Sequence, residues 1–71
     1  MEWRQTARNK WILVENGFEG TAVINETNSG YVAAITVTAD ELGMELLNDR
    51  DFFQNRTAAA ASLQQRMERN S

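Results

Sequence analysis

Thr38-Ala39-Asp40-Glu41-Leu42-Gly43-Met44-Glu45-Leu46-Leu47-Asn48-Asp49-Arg50-Asp51 is the stretch on which the fold turns. Before it, side chains alternate with a period of two; after it, apolar residues recur every three to four positions. Thr38 and Glu41 stand at capping-box spacing. Asp40 and Glu41 supply the negative charge that a helix N-terminus favours. Leu42, Glu45 and Leu46 are spaced for a helix, with Met44 and Leu47 beside them. Gly43 opposes that helix by roughly 1 kcal/mol relative to Ala. The spacing predicts a short helix over residues 39–47, and the competing reading extends the preceding strand. Asn48 to Asp51 reads as a break, with Asp49 or Asp51 capping the next helix.

Upstream, the pattern is that of strands. From Tyr31 to Thr38, Tyr31, Ala33, Ile35 and Val37 share one face, with Val32, Ala34, Thr36 and Thr38 opposite. Thr27-Asn28-Ser29-Gly30 is a turn signal. Thr21 to Asn25 alternates again, with Ala22 and Ile24 on one face, and Trp11-Ile12-Leu13-Val14 is a short run of β-forming side chains. Residues 1–10 are polar and read as a loose lead-in, with Trp3 as an anchor. Downstream, Phe52 to Arg69 reads as a long helix with a packing stripe of Phe53, Arg56, Ala60, Leu63 and Met67. The expected fold is α+β: a three-stranded antiparallel β-meander, then a short helix and a long C-terminal helix packed on one face. Residues 1–71 form a single domain, with 1–9 and 70–71 flexible.

A 71-residue chain makes one domain and buries only about 60% of its unfolded surface. Its hydrophobic fraction of 42% is that of a globular chain, so a disordered one is not expected. With no Cys and no His, it has neither disulfides nor thiolate or imidazole metal ligands. The longest apolar runs, Trp11–Val14 and Val32–Ile35, fall far short of a membrane span of about 20 residues. No signal-peptide h-region follows the N-terminus, so the cytoplasm is the default location. The sequons at Asn25 and Asn55 carry little weight in that setting.

Catalysis is not expected, because His and Cys supply the usual base and the best nucleophile. The glycines at 17, 20, 30 and 43 are isolated and form no phosphate loop. A calcium loop begun at Asp49 would need Gly at its sixth position and Glu at its twelfth, where Gln54 and Ala60 stand. No catalytic residue, metal ligand or cofactor is therefore assigned.

The charge is uneven. Trp11 through Asn48 holds Glu15, Glu19, Glu26, Asp40, Glu41 and Glu45 and no Lys or Arg, a sum of −6. The flanks hold seven basic and four acidic residues, a sum of +3, and the whole is −3. The plainer reading is a solvated, solubilising face; the sharper one is an acidic surface that meets a basic partner. Small acidic proteins of phages and mobile elements act in that way, some by presenting carboxylates where phosphates would sit.

The function expected is thus a small protein-binding module, a regulator or inhibitor. It would dock Glu15, Glu19 and Glu26, with Phe52 as an apolar contact, on a larger protein with a basic surface. Asp40 and Glu41 are set aside as helix caps. One alternative is a homodimer in which the Ala58–Ala61 run lets two helices approach. Another is a weak nucleic-acid binder; the expected strands carry no Arg or Lys, and Arg56, Arg66 and Arg69 do not share one helical stripe, which argues against it. Thermal melts with EDTA and with excess calcium, magnesium or zinc should coincide. A rise of several degrees with one ion would contradict the absence of a metal site.

Overall fold

The computed structural model describes residues 2–69. Five strands, β1 (Glu2–Ala7), β2 (Lys10–Val14), β3 (Phe18–Thr27), β4 (Gly30–Ala39) and β5 (Met44–Phe53), precede one helix, α1 (Arg56–Arg69). The strands form one antiparallel sheet in the order of the sequence. The expectation of three strands and two helices is therefore overturned: two further strands are present, and the short helix is not.

Residues 2–7, read as a lead-in, pair with β2 from Glu2–Val14 to Ala7–Lys10. Residues 40–43 are a turn rather than the start of a helix, and Met44–Phe53 runs back along β4. Gly43 closes that turn at φ 58°, a left-handed backbone that Gly adopts cheaply. The period of two in β5 is disguised by what it carries. Its inward positions are Leu47, Asp49, Asp51 and Phe53, so two carboxylates interrupt the apolar face. The ends expected to be flexible at Met1 and Asn70–Ser71 lie outside the described residues.

Helix α1 starts later than its apolar spacing suggests. The backbone N–H of Ala58 donates to Oδ1 of Asn55 at 2.9 Å, so Asn55 is the cap and neither Asp49 nor Asp51 is. Phe52 and Phe53 both stay in β5, where alternation sends them to opposite faces. Phe53 packs against the core, and Phe52 keeps 52% of its surface exposed.

Alanines let helix and sheet come together. Ala22 on β3, Ala33 on β4 and Ala59 on α1 are buried in one cluster with Trp11, Ile24, Ile35, Leu63 and Met67. Trp3, Tyr31, Leu47, Phe53 and Ala60 pack around its rim. The helix lies chiefly on β4, flanked by β5 and β3. At about 1.5 Å per residue its 14 residues reach roughly 21 Å. The ten-residue strands reach roughly 33 Å, so the helix leaves one end of the sheet uncovered. There Leu13 and Val37 are buried in a different way. Leu13 lies over Gly20, where a Cβ would fall 2.8 Å from the Cβ of Leu13 and 3.1 Å from the carbonyl oxygen of Thr36.

Two arginines of α1 tie it to opposite parts of the sheet. Arg56 donates from Nε to Oδ1 of Asn9 at 2.7 Å and from Nη2 to the carbonyl oxygen of Arg8 at 2.9 Å. That β1–β2 turn is itself fixed to β3, because the Ile24 N–H donates to the Asn9 carbonyl at 2.9 Å. Near the other end of the helix, Arg66 reaches Asp49 and Asp51 on β5.

Leu63 is 1% exposed, so Leu63→Ala should lower unfolding stability by roughly 2–5 kcal/mol in urea titrations. A loss below about half a kcal/mol, typical of a surface site, would show that α1 is not seated as described.

Candidate binding surfaces

No group of three or more His, Cys, Asp or Glu side chains that could hold a metal is found among the described residues. Asp49 and Asp51, two apart on β5, do share a face. The space between them is taken by a guanidinium: Nη1 of Arg66 lies 2.6 Å from Oδ2 of Asp49, and Nη2 lies 2.5 Å from Oδ2 of Asp51. This fork explains the Asp-x-Asp pattern as a clasp between helix and edge strand.

The acidic residues singled out from the sequence do not form one surface. Glu19 and Glu26 both lie on β3, but seven positions apart, so they point to opposite faces and stand roughly 23 Å apart. Glu26 lies opposite Tyr31 on the helix-bearing face, beside the β3–β4 turn. Glu15 sits in the loop after β2, near the Glu19 end. Phe52 lies opposite Val32 on the helix-free face, towards the far end of the sheet from Glu19.

A different acidic grouping is present. The Asp40 N–H donates to the carbonyl oxygen of Gly17 at 2.9 Å, which sets the 15–17 and 40–43 loops side by side at one end of the sheet. Glu15, Asp40 and Glu41 lie in those loops. Glu19 and Glu45 occupy the last helix-free positions of the adjoining strands, where both flank Thr38. Glu2 joins them across β1 and β2 as the partner of Val14. Large apolar side chains stand among these carboxylates: Leu42 is 75% exposed, Met44 50% and Leu46 47%. Leu46 is set off by a bulge, since Val37 pairs with Leu47 and Thr38 with Glu45. Without the helix once expected at 39–47, Asp40 and Glu41 have no capping role and belong to this end.

The helix-free face has a second character. One row across it runs Arg4, Ile12, Thr21, Thr36, Asn48, and the next runs Lys10, Val23, Ala34, Arg50. The strands thus do carry basic side chains, on β1, β2 and β5, which the expected three-strand core excluded. The Thr21 and Thr36 hydroxyls bond each other at 3.2 Å. Arg4 approaches Glu2 at 3.9 Å with both side chains well exposed, a weak contact. By contrast, two residues of the Ala58–Ala61 run face the sheet, with Ala59 fully buried and Ala60 packed on the core, while Ala61 is exposed.

The signal that sequence reading lacked was strand pairing. Once β1 and β5 are strands, the basic flanks fold onto the acidic middle and the charge separates by face and by end. Comparison with protein-family models, with curated proteins and with solved structures returns no match.

Arg66→Met should leave the two carboxylates of β5 without their shared cation. The carboxylates are nearly half exposed, so the loss should be only about 1 kcal/mol and should shrink with added salt. Asp49→Asn with Asp51→Asn in the same chain should recover most of it. An Arg66→Met variant as stable as wild type at low salt would show that the clasp contributes nothing.

Proposed function

We propose that the chain is a protein-binding module whose acidic sheet end docks on a basic surface of a larger protein, as a regulator or inhibitor would. The observation that supports this is the placement of Leu42, Met44 and Leu46, all largely exposed, among Glu15, Glu19, Asp40, Glu41 and Glu45. Protein interfaces are built in this way, with apolar anchors that lose water and a charged rim that steers the encounter. The loops that carry the anchors are held to each other by the Asp40–Gly17 hydrogen bond, which limits the ordering needed on binding. Carboxylates so arranged suit a partner whose own surface receives phosphates. A chain with neither His nor Cys is better equipped to bind than to catalyse. Among the described residues, no helix is long and apolar enough to cross a membrane, and a cytoplasmic setting fits a chain without Cys.

The test is site-specific photo-crosslinking in the native host. A photoreactive residue in place of Leu42 or Met44 should capture one partner, and the same residue at Gln64 on the outer side of α1 should not. Capture should fall sharply in a Glu15→Gln, Asp40→Asn, Glu41→Gln chain. With the partner purified, that chain should associate more slowly in surface plasmon resonance at low salt and match wild type at high salt. A partner captured equally from Gln64, or association unaffected by both salt and neutralisation, would overturn the reading.

A further inference from the structure

An antiparallel sheet with one solvated face usually carries polar side chains on it. The helix-free face here carries Ile12 and Val14 on β2, Val23 on β3, Val32 and Ala34 on β4, and Phe52 on β5. The hydroxyls of its central polar pair, Thr21 and Thr36, are hydrogen-bonded to each other, so covering the pair leaves fewer unmatched hydroxyl groups than two separate threonines would. The charges on the face are segregated. Glu2, Glu19 and Glu45 lie at one end, and Lys10 and Arg50 lie two rows further along, with Arg4 in the row between. Lys10, Arg50, Glu19 and Glu45 make no ion pair among the described residues.

We propose that this face binds the same face of a second copy, related by a two-fold axis that lies between the sheets and across the strands at the Ile12–Thr21–Thr36 row. Such an axis lays each strand over its own copy and reverses the order of the rows. Arg50 of one chain then faces Glu45 of the other, twice over, and Lys10 comes beside the partner copy's Val14 and Glu2. The acidic row of each chain meets the basic row of the other, on either side of a central row. In that row Ile12, Thr21, Thr36 and Asn48 meet their own copies, and Arg4, at the edge and beside Glu2, meets Arg4. The fit is isologous, as in most homodimers, and the strands stay within the roughly 30° of aligned sheet packing. Five strands of these lengths present on the order of 600 Å² per copy. Two copies bury about 1,200 Å², the lower bound of specific interfaces, so the dimer is a reversible one. The charges at its margins favour one register and one orientation rather than open-ended stacking.

Sedimentation equilibrium of the full chain from micromolar to near-millimolar concentration provides the test, at low and at high salt. Wild type should follow a monomer–dimer equilibrium that weakens with salt. Glu45→Arg and Arg50→Glu, each alone, should raise the dissociation constant by roughly tenfold or more, because like charges then face each other. The double swap should return it to within about threefold of wild type, since the pairing is restored with its sign reversed. Ala34→Arg, at the middle of the face, should abolish the dimer while the monomer melts within a few degrees of wild type. A chain that stays monomeric throughout would overturn the proposal. So would a dimer indifferent to Ala34→Arg and to both swaps. The same holds for a monomer that binds a single-stranded oligonucleotide through Lys10 and Arg50, with no rescue in the double swap.

Discussion

The seating of α1 on the middle strands is the contact on which the rest of the structure depends. A five-stranded sheet has two faces, and a chain of this length can supply one helix to cover one of them. The cover is made close by small side chains: Ala22 and Ala59 are fully buried, and Ala33 nearly so. Larger residues, Trp11, Ile35, Leu63 and Met67, then fill the space around them. Each fully buried large side chain contributes about 1.5–3 kcal/mol. In a domain whose net stability is of the order of 5–15 kcal/mol, a few such residues decide whether the sheet is ordered at all.

The two arginines of α1 convert that seating into a defined architecture. Arg56 holds the Arg8–Asn9 turn, and through it the short β1–β2 hairpin, whose Trp3 and Trp11 pack on the core. Arg66 holds β5, whose inward face carries two carboxylates in place of hydrophobic residues. The edges of the sheet are thus held by hydrogen bonds and ion pairs in addition to the packing of Trp3, Leu47 and Phe53, and its centre by packing. Because the helix is shorter than β3, β4 and β5, the far end of the sheet projects beyond it. That end carries the exposed Leu42, Met44 and Leu46 together with Glu15, Glu19, Asp40, Glu41 and Glu45.

Sequence patterning made the interior strands visible and the edges invisible, for a physical reason. Stretches 21–25 and 31–38 alternate, and 11–14 is a run of β-forming side chains, because their inward positions meet the core. In β5 the inward positions at 49 and 51 are acidic, neutralised by an arginine that the chain supplies only 15 residues after the second of them. No local window can show that compensation, so the stretch read as a helix followed by a break. In β1 only Trp3 packs on the core, and the remaining strand residues look like a solvated tail. The long helix was legible through Leu63 and Met67, and its start was misplaced because Phe52 and Phe53 imitate a helical apolar residue. The charge separation was legible as a run of acids, but not as a surface. Glu26 left the group through strand parity, and Asp40 and Glu41 entered it once their supposed helix proved to be a turn.

These features describe one economical design: a single layer of helix secures one face of a sheet, and the remaining face and one projecting end are left to meet other surfaces. Its central claim is that helix and sheet form one cooperative unit. Native-state hydrogen exchange read by NMR tests that directly. Amides of α1 from Ala60 to Met67 and those of β3 and β4 around Ala22 and Ile35 should show the same opening free energy, equal to that of global unfolding, and should lose protection together as denaturant is added. Helix amides that exchange orders of magnitude faster than those of β3 and β4 would show that the sheet stands without α1, and would contradict the account.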